Sequence, residues 1–152
     1  MERQIVFRGK RIKDGKWICG NLADYSMKVF NTTIDKKVIF GNIVSFATDN
    51  FGYVVDDCAV DPETIGQFTG LLDRNGKEIY EGDIITVKGR YPRVVLWDKM
   101  MWALMPTEYY HDEVLWVMNL QHPRVDWWEE FADEFEIIGN IHDNPSLISD
   151  KQ

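Results

Sequence analysis

TIGQFTGLLDRNGKEIYEGDIITV, residues 64–87, decides what kind of fold this chain can adopt. Apolar stretches flank a run dense in turn formers. Asn75-Gly76 can take the left-handed backbone conformations that a hairpin turn requires. Asp73 can cap that turn by accepting from a backbone N–H two residues on. Glu81-Gly82-Asp83 marks a second corner ahead of the strand pattern IITVK. Ile65, Phe68 and Leu71 alternate imperfectly, and the glycines among them predict bulges. The stretch therefore reads as short strands joined by turns. A calcium loop starting at Asp73 fails on spacing. It would place Glu78 where an EF-hand needs Gly, and Ile84 where it needs Glu.

Elsewhere in the chain the same punctuation recurs, with Gly at intervals that suit short strands. QIVFRG (4–9) and WICGNL (17–22) flank Asp14-Gly15, a two-residue hairpin signal. Residues 28–41 alternate loosely, with Val29, Ile34, Val38 and Phe40 expected to point inward. IVSFA (43–47), YVVD (53–56), EIY (78–80), DIITVK (83–88) and EVLWVM (113–118) add strand candidates. RVVLWD (93–98) and MWALM (101–105), separated by Lys99-Met100, predict a tight hairpin. One segment differs. VDWWEEFADEF (125–135) sets Trp127, Trp128, Phe131, Ala132 and Phe135 on one helical face, with Asp126 and Glu129 as a capping pair. A short helix is expected over 126–134. EIIGNI (136–141) returns to strand, and a loose tail follows from residue 146.

A chain of 152 residues suits one domain with a single core, and 1–145 is its expected extent. Six Trp, six Tyr and eight Phe argue against disorder. The apolar runs are too short to span a membrane. The charged start MERQIVFRGKRIKDGK lacks the apolar core of a signal peptide, which predicts a cytoplasmic protein. There Cys19 and Cys58 are expected as free, buried thiols rather than a disulfide.

Charge is uneven. Residues 1–60 hold nine Lys/Arg against seven Asp/Glu, whereas 61–152 hold eight against eighteen. Within 108–143, ten acids face the single base Arg124. Such a half disfavours direct contact with nucleic-acid phosphates. It would suit solubility, a basic partner, or an acidic mimic of nucleic acid that inhibits a host DNA-binding protein.

Catalytic patterns are absent. His111, His122 and His142 have no metal-ligand spacing, so a hydrolase built on His and Asp would need the fold to bring them together. Ser26 and Ser45 lack a G-x-S-x-G frame, and no Gly-rich phosphate loop exists. Nothing in the pattern calls for a cofactor or a metal. Five Trp (97, 102, 116, 127 and 128) fall within 32 residues. Stacking of nucleobases would also need a basic groove. Core packing is the first reading of these rings and a protein interface the second, since Trp, Tyr and Met are enriched at interfaces. Residues 99–128 are the richest in all three, which places candidate contacts at Trp102, Tyr109, Tyr110 and Trp116.

Three strings together, FRGKRIKDGKWICGNL, TIGQFTGLLDRNGKEIYEGDIITV and FEIIGNIHDNPSLI, resemble the YopX family of phage and prophage proteins. The likeness runs over nearly the whole chain and is most specific in the middle string. It implies a largely β, barrel-like domain and a phage or prophage source, and it carries no activity with it. The expectation is thus a mainly β protein, a partly closed barrel of short antiparallel strands. It would act through protein contacts, with itself as one candidate partner. Glu78, Tyr80, Glu81 and Asp83, which turn chemistry leaves unexplained, join the candidate contact residues.

Overall fold

The computed structural model describes residues 4–40, 57–111 and 131–148. The strands expected at 43–47, 53–56 and 113–118, and most of the helix expected over 126–134, lie outside them. The described residues are mainly antiparallel β structure, as the turn spacing implies. Contacts divide the chain into two compact units, residues 1–67 and 68–152.

In the first unit, β1 (Phe7–Lys10) pairs with the base of a long hairpin, β2 (Trp17–Val29) and β3 (Thr32–Phe40). The predicted hairpin at Asp14-Gly15 is present with a longer loop. Arg11 N–H donates to the Lys16 carbonyl at 2.9 Å, so four residues turn between them. Arg11 and Asp14 form an ion pair across that loop at 2.6 Å. The guanidinium holds the Asp14 carboxyl down at about 2. The turn between β2 and β3, at Phe30-Asn31, breaks the run expected over 28–41.

Alternation sorts the hairpin's two faces. Ala23, Tyr25 and Phe40 pack around Val38 and Ala59, while Asp24, Ser26, Lys28 and Asp35 face water. The short strand β4 (Ala59–Val60) pairs with β3, and it also bridges back to Arg11. Ile12 N–H donates to Ala59 at 2.9 Å and Asp61 N–H to Lys10 at 2.8 Å. That return contact partly closes this unit's sheet, as expected. Gly9 permits it: a Cβ there would sit 3.1 Å from the Val60 side chain. The 3-10 turn Pro62–Thr64 leads into β5 (Gly66–Leu72), whose first residues pair with β1.

In the second unit, the rest of β5 pairs with β6 (Glu78–Tyr80). The register shifts between Phe68 and Leu72, with Gly70 at φ +91. The bulge read from the glycines is there. A four-stranded sheet follows, in the order β10 (Phe135–Asn140), β7 (Asp83–Val87), β8 (Arg90–Asp98), β9 (Met101–Pro106). It is open rather than a closed barrel. Both faces are buried. Ile85, Val95, Leu104 and Phe135 pack with Ile79 on one side; Ile84, Val94, Leu96 and Met105 pack with Ile148 on the other. Two-sided burial suits the unbroken apolar runs Ile84-Ile85 and Val94-Val95-Leu96. Of the expected helix, the described end is one α-helical residue, Phe131, followed by the 3-10 turn Ala132–Glu134, and Phe135 already belongs to β10. Leu147 and Ile148, read in sequence as part of the tail, pack on the Ile84 cluster after the 3-10 turn Pro145–Leu147.

Candidate functional site

The dense polar stretch builds its corners with its own side chains. Asp73 is buried and is the hub of the first corner. Its carboxylate accepts from the backbone N–H groups of Asn75 at 2.8 Å, Lys77 at 2.9 Å and Ile137 at 3.2 Å. The third bond joins the corner to β10, 64 residues later. Burial alone would push this carboxyl up, but the N–H groups of Lys77, Ile137 and Asn75 outweigh it and hold the group below the usual range. At the second corner, Asp83 is 1% exposed and accepts from Tyr80 N–H at 2.8 Å. Gly82 between them, at φ +80, donates to Val95 and accepts from Ile141, tying the corner to β8 and to the C-terminal segment.

The residues left open by turn chemistry thus find partners within this corner. Tyr80 is buried, donates its hydroxyl to Glu78 at 2.6 Å and lies against the Phe68 ring at 5.5 Å. Glu81 extends the ladder past the end of β7 by accepting from Trp97 N–H at 3.4 Å. The final signature, GNIHDN (139–144), is also a corner. Asn140 Oδ1 accepts from the N–H groups of His142 and Asp143, and Asn144 Oδ1 accepts from Asn140 N–H. The Asn144 side chain lies over Gly139, where a Cβ would stand 2.5 Å from Oδ1.

A different kind of surface stands at the β8–β9 turn. Asp98 pairs with Met101, so Lys99-Met100 is a two-residue loop, as predicted. Both residues take positive φ, +45 and +70, although neither is Gly. Such loops match the strand twist but favour Asn and Gly. Met100 is 88% exposed, Trp97 43% and Met101 39%. Trp97 and Trp102 face each other across the hairpin, edge to face, with centroids 4.8 Å apart. Trp102 backs this knuckle onto the Ile79 cluster. Its indole N–H is buried with no hydrogen-bond acceptor among the described residues.

Tyr109 and Tyr110 follow β9 through the 3-10 turn Thr107–Tyr109 and pack on the Ile84 cluster. A hydrogen bond to Glu108 raises the Tyr109 hydroxyl, while burial and then the charge of Glu81 raise that of Tyr110. Trp116 lies outside the described residues, as does His122. The His111 ring stands edge-on to Tyr110 at 5.2 Å, and His142 sits in the GNIHDN turn. Among the described residues no three His, Cys, Asp or Glu side chains come together as a metal would need. Cys19 and Cys58 are free thiols, but Cys19 is exposed rather than buried and Cys58 only half-buried, and that burial raises Cys58 away from the reactive thiolate. No helix among the described residues is long and apolar enough to cross a membrane.

No curated protein matches this chain. Among solved structures it is similar to protein EF1440 from Enterococcus faecalis, at 20% identity over 97% of this chain and 100% of that one, with a TM-score of 0.49. The model of the family described as YopX protein matches residues 6–149. That match takes in all three signature strings and both corners, and the chain belongs to the YopX family.

Proposed function

We propose that this protein is a phage- or prophage-encoded accessory protein of the host cytoplasm that works by protein–protein contact, through the knuckle at the β8–β9 turn. The observation that carries this reading is the grouping of exposed Trp97, Met100 and Met101 on one short hairpin, backed by Trp102. Met is flexible and polarisable and adapts to varied surfaces, and Trp is enriched among residues that dominate interface energetics. Backbone strain at Lys99 and Met100 supports it. A non-Gly residue in this conformation costs about 1–2 kcal/mol, and such strain concentrates at functional sites. Glu78, Tyr80, Glu81 and Asp83 support it only indirectly, as the corner that holds β7 and β8 in place.

The acidic-mimic reading has less support. Of the described acids in 108–143, Glu134 pairs with Lys88 at 2.9 Å and Glu136 with Arg74 at 2.7 Å, which neutralises part of the charge a mimic would present. Affinity capture from lysate of phage-infected or prophage-bearing host cells tests the contact reading, comparing the wild type with Met100→Asp and Trp97→Ala. A protein retained by the wild type and released by both variants supports it. Equal retention by all three refutes it.

A further inference from the structure

Beyond the knuckle, we infer that a second copy of this chain pairs antiparallel along the edge of β2 that no described strand covers, centred on Ser26. β1 occupies that edge only from Trp17 to Gly20. From Asn21 to Val29 β2 pairs with β3 on one side, and among the described residues nothing pairs on the other. A strand edge of nine residues left unpaired among the described residues is a template for another strand unless something guards it. A lone charge often serves as the guard. Here the charges are arranged to attract.

Asp24, Ser26 and Lys28 are all exposed and lie on the same polar face of the hairpin. They are symmetric about Ser26. Antiparallel pairing of two copies through a two-fold axis at Ser26 sets Asp24 opposite Lys28 of the second copy, and Lys28 opposite its Asp24. Opposite charges facing across strands attract, and like charges in those places repel. Lys28 has no ion-pair partner within its own chain among the described residues, whereas Asp24 pairs with Lys37 across from it on β3. The pairing would therefore build a row of alternating charge: Lys37, Asp24, then Lys28 of the second copy. The overlap, residues 23–29, stops short of the edge that β1 already covers. The register also keeps polar faces together, because residues of the same parity face each other. The occupant that fits this pattern best is the strand itself.

Sedimentation equilibrium of the full chain at low and moderate salt tests this, using the wild type, Lys28→Asp and Asp24→Lys. Each single reversal places like charges at both contacts, so the dimer dissociation constant should rise by roughly tenfold or more. Mixing the two variants should restore the dimer, because in the mixed pair each Asp again meets a Lys. Far-UV circular dichroism checks that both variants fold, as exposed positions should allow. A wild type that stays monomeric at all concentrations overturns the inference. So does a dimer that ignores both reversals, or one the mixture fails to restore. None of these outcomes touches the knuckle, where Met100→Asp leaves this edge unchanged.

Discussion

Replacing Asp73 should be among the most damaging single changes in the second unit, although the residue sits in a turn. Three backbone N–H groups share its carboxylate, at 2.8, 2.9 and 3.2 Å. A hydrogen bond contributes about 1 kcal/mol net, and more when the acceptor is charged. Asn75 and Lys77 are exposed residues whose N–H groups water can reach, so the lower figure suits them. Ile137 lies in a strand and its N–H has less recourse. Asp73→Ala should therefore cost about 3 kcal/mol by urea denaturation. Asp73→Asn is the discriminating control. Its carbonyl can keep the two local bonds at Oδ1, but its NH2 would face the Ile137 N–H, so it should lose roughly half as much. The difference from wild type is pH-dependent. The folded carboxyl is held below the value near 3.9 of the unfolded chain, so its contribution is complete above about pH 4 and is lost as pH falls through the folded value. Wild type and Asp73→Asn should converge at low pH. If Asp73→Ala costs less than about 0.5 kcal/mol, or if Asn equals Asp at neutral pH, the hub assignment is wrong.

Gly139→Ala should destabilise by about 1–3 kcal/mol through overpacking, because its Cβ would meet Asn144 Oδ1 at 2.5 Å. Asn144→Gly should remove much of that added cost in the double variant, which thermal melts of the four species would show as non-additivity. Replacing Lys99-Met100 by Asn-Gly should raise stability by about 1–2 kcal/mol by relieving two strained residues, with urea midpoints as the readout. The same change should weaken partner capture, so a variant that is more stable and captures equally well would remove the functional argument from strain.

Local signals reported local structure well. Asn75-Gly76, Glu81-Gly82-Asp83 and the spacing of RVVLWD from MWALM each placed a turn where one exists. The long β2–β3 hairpin was harder to read, since Phe30 at its turn, with φ +53, is not a residue that turn chemistry flags. Long-range partners left no trace. Nothing near Asp73 indicates that it accepts from Ile137, and nothing in GNIHDN shows that Asn144 lies over Gly139. Glu78, Tyr80 and Asp83 bond to one another within three residues, in pairings that turn chemistry does not flag, and only Glu81 reaches a neighbouring strand, at Trp97. The apolar content of 97–102 was plain in the sequence. Its division into an exposed Met100 and a backing Trp102 depends on which side of the hairpin meets the core, and that is set by β7 and β10.

The proposed function rests on the β8–β9 knuckle being a protein-contact surface. Its most direct measurement is quantitative capture from infected-host lysate with wild type, Met100→Asp and the Asn-Gly turn variant, all shown to be folded. One protein should co-purify with wild type and fall by about tenfold or more with each variant, as loss of about 1.4 kcal/mol of binding would give. Identical capture profiles across the three would contradict it.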